Sequence, residues 1–115
     1  MLGASSLAAL AADIPRVIDG DAEAWSELVI LLEPQLFLLL RRSETFKPLR
    51  HDMNETWAVI FAVMVRLRGD NFRGLRMWES WANSHPEKHF GDWIQIVTDN
   101  IAREHVSSRL CTVAT

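Results

Sequence analysis

The chain of 115 residues has no tyrosine, one cysteine, five glycines and four prolines. A single thiol, Cys111, leaves no internal disulfide and no thiolate set for a structural zinc site. Glycine and proline this sparse exclude a fibrous or linker-rich chain. Long apolar runs are missing too. The longest, Leu28–Leu40, has 13 residues and is interrupted by Glu33, Pro34 and Gln35, whereas a spanning helix needs about 20. Met1–Ala12 carries no basic residue ahead of its apolar part, unlike a secretory signal. A cytoplasmic chain without a membrane segment is expected. Nor is there an excess of positive charge: 12 basic against 15 acidic residues give a net charge of −3. Coating nucleic acid by bulk charge is therefore excluded.

What is present is hydrophobic and aromatic: 49% apolar residues, with five tryptophans and five phenylalanines. That suffices for one core, so residues 1–115 read as a single domain with flexible ends at about 1–6 and 109–115. The charge is segregated. Residues 1–40 hold Asp13, Asp19, Asp21, Glu23, Glu27 and Glu33 against Arg16 alone. Residues 41–76 hold Arg41, Arg42, Lys47, Arg50, Arg66, Arg68, Arg73 and Arg76 against Glu44, Asp52, Glu55 and Asp70. A positive middle third inside an acidic chain suits an anionic partner, or equally a set of solvated helix ends.

Apolar spacing reads helix almost throughout, and an all-α bundle of about four to five helices is predicted. Trp25, Leu28, Val29, Leu32, Leu36, Leu39 and Leu40 form one helical stripe. Asp21 is its expected N-cap, and Gly20 separates it from a shorter helix over Leu7–Ile18. The stripe continues past Pro34, which predicts one kinked helix. A second helix is expected from Pro48, with a stripe of Met53, Trp57, Ile60, Met64 and Leu67. Its Trp57–Val65 run is apolar on every side, so this helix is either central or covered by a partner. Gly69, Asp70 and Asn71 end it. The last helix carries Phe90, Trp93, Ile94, Val97 and Ile101, with Ser84, Pro86 and Glu87 in capping-box spacing. Between these helices, Gly69–Ser84 contains Arg73, Arg76, Trp78 and Trp81. This is either a base-stacking loop or a short helix whose Met77, Trp78 and Trp81 cover the end of the bundle. Arg41, Arg42, Lys47 and Arg50 either track a phosphate backbone or complement a helix C-terminus.

No nucleophile, base and orienter assemble from this sequence, and no glycine-rich phosphate loop is present, so catalysis and a cofactor are not expected. The histidines are His51, His85, His89 and His105. His85 and His89 share a helical spacing, but the Glu-flanked zinc signature is absent and no metal site is expected.

The order of three motifs carries a resemblance. "IPRVIDGDAEAWSEL" places Gly20, Asp21, Ala24, Trp25 and Leu28, followed by Pro34 and Leu36. "HDMNETWAVIFAVMVRL" places Asp52 and Met53, with Glu55 and Thr56 at a Gln-Glu pair. "FGDWIQIVTDNIAREHV" places Phe90, Trp93, Ile94, Val97, Asn100, Ala102 and Glu104. Together, over residues 13–107, they resemble region two of bacterial sigma factors, most closely the extracytoplasmic-function type. The resemblance stops short of that family's C-terminal helix-turn-helix domain.

The resemblance implies a transcription initiation module that binds RNA polymerase core and helps recognise or melt the promoter minus-ten element. It implies docking of the polymerase β′ coiled coil at Asp52, Asn54, Glu55 and Thr56. It implies contact with promoter DNA, only within the polymerase complex, through Arg66, Arg68, Arg73, Arg76, Trp78, Trp81, Asn100 and Arg103. Those residue types suit such contacts, since rings and guanidinium planes stack on unpaired bases, arginines hold phosphates, and an amide reads a flipped base. An anti-sigma protein is a further implied partner. The alternative is a sigma-derived interaction domain, a regulator or decoy without DNA binding, and the apolar Trp57–Val65 run also suits self-association.

Overall fold

The computed structural model describes residues 12–114, and among them every regular element is helical. The bundle comprises α1 (12–18), α2 (Ala22–Arg42), α3 (Met53–Ser84) and α4 (Phe90–Ala114). Each of the three long helices packs on the other two. The all-α bundle expected from the sequence is the observed architecture. Residues 7–11 of the expected first helix lie outside the described residues, as does the expected flexible end at 1–6.

α1 ends as its glycine dictates. The Asp21 N–H reaches the Arg16 carbonyl at 3.1 Å and the Gly20 N–H reaches that of Val17 at 3.0 Å. This paired closure needs a left-handed residue, and Gly20 has φ +96°. Asp21 then caps α2, its carboxylate accepting from the Glu23 and Ala24 N–H groups at 3.0 and 3.1 Å. The Arg16 guanidinium donates to the same carboxylate at 2.9 Å. The Ala24 N–H, with Arg16 next, holds the Asp21 carboxyl below its ordinary range.

α2 buries Ala24, Leu28, Leu32, Leu36 and Leu40, a strict four-residue row. The helix runs unbroken through Pro34. Proline removes the donor for the Ile30 carbonyl, but Pro34 and Ile30 both face solvent, where water replaces it. Arg41 and Arg42 occupy the last turn, and Arg50 donates to the Arg41 carbonyl at 3.5 Å. Here the arginines do complement a helix end.

α3 begins later than the proline suggested. Pro48 lies in a single 3-10 turn, Lys47–Leu49, packed beside the fully buried Phe46. The N-cap is Asp52, whose carboxylate accepts from Asn54 and Glu55 N–H at 3.0 and 3.3 Å. The buried face is Thr56, Val59, Ile60, Val63 and Leu67. Ile60 and Leu67 were expected inside; Met53 and Trp57 were too, and both are exposed.

At Gly69–Phe72 the right-handed helix is interrupted. Asp70, Asn71 and Phe72 have φ of 55°, 56° and 60°, the left-handed region. Asp and Asn tolerate that region, whereas a bulky Phe rarely does. Phe72 is held there by an edge contact with Trp25, ring centroids 5.9 Å apart. The chain then resumes a right-handed helix to Ser84. Of the two readings of Gly69–Ser84, a base-stacking loop or a short helix, the segment beyond Phe72 is helical. Gly74 makes the fold-back possible: a Cβ there would lie 3.0 Å from Leu67 Cα and collide with the Arg66 carbonyl oxygen.

α4 starts at Phe90, after a turn at 85–89, rather than at Pro86. Asp92 accepts from the His89 N–H at 3.3 Å, providing the cap that Ser84 and Glu87 were expected to supply. Its start meets the second segment of α3, and its later half meets Glu55 near the beginning of α3. α4 thus runs antiparallel to Met53–Arg68. The helix continues to Ala114.

Candidate interaction surface

The four residues expected to dock a polymerase sit at the start of α3, with different neighbours. Asn54 is exposed at the first turn. Asp52 is exposed, but its carboxylate is occupied as the N-cap. Thr56 is buried, 3% exposed, and its hydroxyl donates to the Asp52 carbonyl at 3.0 Å.

Glu55 turns towards α4. Its Oε2 pairs with His105 Nε2 and accepts from Arg109 Nε at 2.9 Å. The His105 hydrogen bond holds the Glu55 carboxyl below its ordinary range; partial desolvation opposes this, and Arg109 reinforces it. With 17% of its side chain accessible, Glu55 ties two helices together more than it offers itself to solvent.

The arginines expected to touch DNA gather at the fold-back of α3. Arg66, Arg68, Arg73 and Arg76 are all exposed. Arg66 and Arg73 line one groove with Gly69 and Asp70. Arg73 lies 3.6 Å from the Asp70 carboxylate, and Arg76 donates to the Asp70 carbonyl at 3.1 Å, bracing the left-handed turn. Arg68 lies over the Trp25 ring at 5.6 Å.

The tryptophans of that segment are placed differently. Trp78 is 6% exposed and packs against Trp81, Phe90 and Trp93. Trp81 is half-buried and stacks on His85, centroids 4.8 Å apart. They cover the end of the bundle, the second of the two readings of this segment. Asn100 and Arg103 are exposed on α4 and joined by a 3.4 Å hydrogen bond. Among the described residues, no hydrogen bond or ion pair connects them to the arginine turn. Also among the described residues, no three His, Cys, Asp or Glu side chains converge as a metal cluster would require.

The most conspicuous surface lies on the helix whose Trp57–Val65 run left two readings, central or covered by a partner, and the row that faces outward was not given by the sequence. Met53, Trp57, Phe61 and Val65 recur every fourth residue along α3, exposed by 55%, 44%, 69% and 51%. One groove, of about 830 Å³, runs beside Phe61 and Val65 to the exposed Met77, rimmed by Arg66 and Arg73. A second, of about 700 Å³, lies beside Trp57 between Ile30, Pro34, Phe37 and Leu38, rimmed by Glu33 and Arg41. Trp57 is fixed there by an edge contact with Phe37, centroids 4.8 Å apart. The signal was available: nine consecutive apolar residues, Trp57–Val65, exceed what one buried face can use. Their spacing alone did not say which row would point outward.

No helix among the described residues is long and apolar enough to cross a membrane. In comparisons with protein-family models, curated proteins and solved structures, nothing matches this chain.

Proposed function

We propose that the chain is a non-catalytic, sigma-factor-like module of transcription initiation, acting in the cytoplasm. In this reading it binds RNA polymerase core through the outer face of α3. Within that complex, the arginine turn contributes to recognising or melting the promoter minus-ten element. The observation that carries the reading is the exposed row Met53, Trp57, Phe61 and Val65, which ends at the four-arginine turn. Isolated globular chains rarely leave so continuous an apolar surface in water, and such patches mark partner sites. Exposed guanidinium groups suit phosphates and unpaired bases.

A second reading is favoured by the engagement of Glu55, Thr56 and Trp78 within the bundle. These groups are spoken for before any partner arrives. That suits a sigma-derived interaction domain, a regulator or decoy, that binds protein without touching DNA.

Retention on immobilised β′ coiled coil tests the first reading. Asp52 and Glu55 are poor probes, since altering them removes a helix cap and an interhelical tie. Phe61→Glu is the better variant, because its ring is 69% exposed and its loss leaves the core intact. Wild-type chain is expected to be retained, and Phe61→Glu to fall about tenfold or more, as for a central interface anchor. Equal retention of both overturns the docking face. With core bound, Arg73→Ala combined with Arg76→Ala is expected to weaken cross-linking to a single-stranded minus-ten oligonucleotide. Unchanged cross-linking selects the second reading.

A further inference from the structure

The row on α3 has the form of one half of a helix–helix contact. Side chains four residues apart make a ridge, and two such ridges interdigitate at a crossing angle of roughly −50°. Met53 and Val65 lie twelve residues apart, about 18 Å of helix at the usual rise. The two grooves that flank the ridge are where the partner's own side chains would sit. We propose that this ridge receives an amphipathic α-helix whose apolar row is flanked by acidic residues. The proposal rests on the reading above that the outer face of α3 is a partner face, and it names the chemistry of that partner.

Charge selects the occupant. Arg66, Arg73 and Arg41 line the two grooves against Asp70 and Glu33. Asp70 is already opposed by Arg73, and Arg66 has no ion-pair or hydrogen-bond partner among the described residues. The first groove is therefore positive by one charge, at Arg66, and the second is balanced, although the chain as a whole carries −3. A second copy of this chain fits poorly. Antiparallel pairing of two α3 ridges would set the unpaired Arg66 against the start of α3, where Asp52 and Glu33 offset Arg50 and Arg41, so a second copy offers it no net opposite charge. Single-stranded nucleic acid fits less well too. Base stacking needs aromatic platforms, and beyond Phe61 this groove is floored by Ala62, Val65 and Met77.

The test uses the full chain and two synthetic helical peptides, with leucine at positions i, i+4 and i+7. One carries glutamates on its flanks and its twin carries lysines. At low salt the acidic peptide is expected to bind about tenfold tighter, as reversing two exposed charge pairs would give. Backbone amide shifts should centre on Trp57, Phe61, Val65 and Met77. Arg66→Glu combined with Arg73→Glu should invert the preference, and Phe61→Glu should abolish both complexes while leaving the helical melting curve unchanged. Equal affinity for the two peptides, no inversion, or shifts centred on Ile96 and Leu110 of α4 overturns the proposal. Concentration-dependent dimerisation that Phe61→Glu removes overturns it in favour of a second copy. Displacement of the acidic peptide by a single-stranded oligonucleotide, with shifts confined to the arginines, overturns it in favour of nucleic acid.

Core retention of Phe61→Glu, measured in parallel, separates the two proposals. Loss of peptide binding with core retention intact supports the helix site and overturns core docking through this face. Loss of core retention with peptides indifferent to charge does the opposite.

Discussion

Replacing Gly74 by alanine sets two effects of opposite sign against each other. In an ordinary helix interior the change is favourable by about 0.5–1 kcal/mol, because glycine loses more backbone freedom on folding. At this position the new methyl would collide with the Arg66 carbonyl oxygen, 3.0 Å from Leu67 Cα and 3.1 Å from the Arg66 carbonyl carbon. All three atoms are backbone, so no rotamer change relieves the contact. The two segments of α3 must part, loosening Leu75 and Trp78, which are buried on the far side of the fold-back. Overpacking of this kind costs about 1–3 kcal/mol, and a rigid neighbour puts it at the upper end. The net expectation is a loss of about 1–2 kcal/mol, a fall in Tm of about 4–8 °C for a chain of this size. Gly69→Ala is the control within the same turn. Its backbone is extended at φ −62° and ψ 155°, and its nearest neighbour would be Val65 Cγ1 at 3.9 Å. It should leave Tm unchanged or raise it, by about 0.4–1 kcal/mol of stability. Thermal unfolding followed by helical circular dichroism and by tryptophan emission reads both. A Gly74→Ala chain as stable as wild type would show that the fold-back is not sterically closed at this glycine.

Two further outcomes follow from the polar groups. The Thr98 hydroxyl is buried, 1% exposed, with no hydrogen-bond partner among the described residues. Thr98→Val should therefore raise stability by about 1 kcal/mol, measured by urea unfolding, and a loss would mean the hydroxyl is satisfied in solution. The Glu55 carboxyl is held below its ordinary value of 4.5, chiefly by His105. Its contribution is therefore complete above that value and disappears as pH falls through the lower folded value. Glu55→Gln should flatten the fall in Tm as pH drops below the ordinary carboxyl value of 4.5, relative to wild type. Parallel curves for the two chains would show that the tie to α4 contributes nothing.

Much of the architecture follows from local chemistry. Asp21 caps α2 because an aspartate precedes a helical stripe, and its partners are N–H groups two and three residues on. Gly20 closes α1 because only glycine takes φ +96° without cost. The second helix start was misplaced because proline and aspartate are both start signals. Asp52 sets the start, since its carboxylate accepts from the Asn54 and Glu55 N–H groups, whereas the turn that holds Pro48 has no side-chain cap. The left-handed run at Asp70–Phe72 has only a weak sequence signal, since Phe72 adopts it through contact with Trp25, far away along the chain. The partner row was hidden for a related reason. In Trp57–Val65 every position is apolar, so hydrophobic periodicity has no phase.

By itself, then, the sequence determined that this protein is helical, where α1 ends and α2 begins, and that its basic residues crowd the middle third. Those outcomes depend on residues within a turn or two of one another. Only the tertiary structure decided that Val59, Ile60, Val63 and Leu67 are buried in the bundle while Met53, Trp57, Phe61 and Val65 face water. It also decided that Glu55 is drawn to His105 and Arg109, fifty and more residues along the chain. Which face of a uniformly greasy helix is buried depends on what packs against it, and no local preference records that.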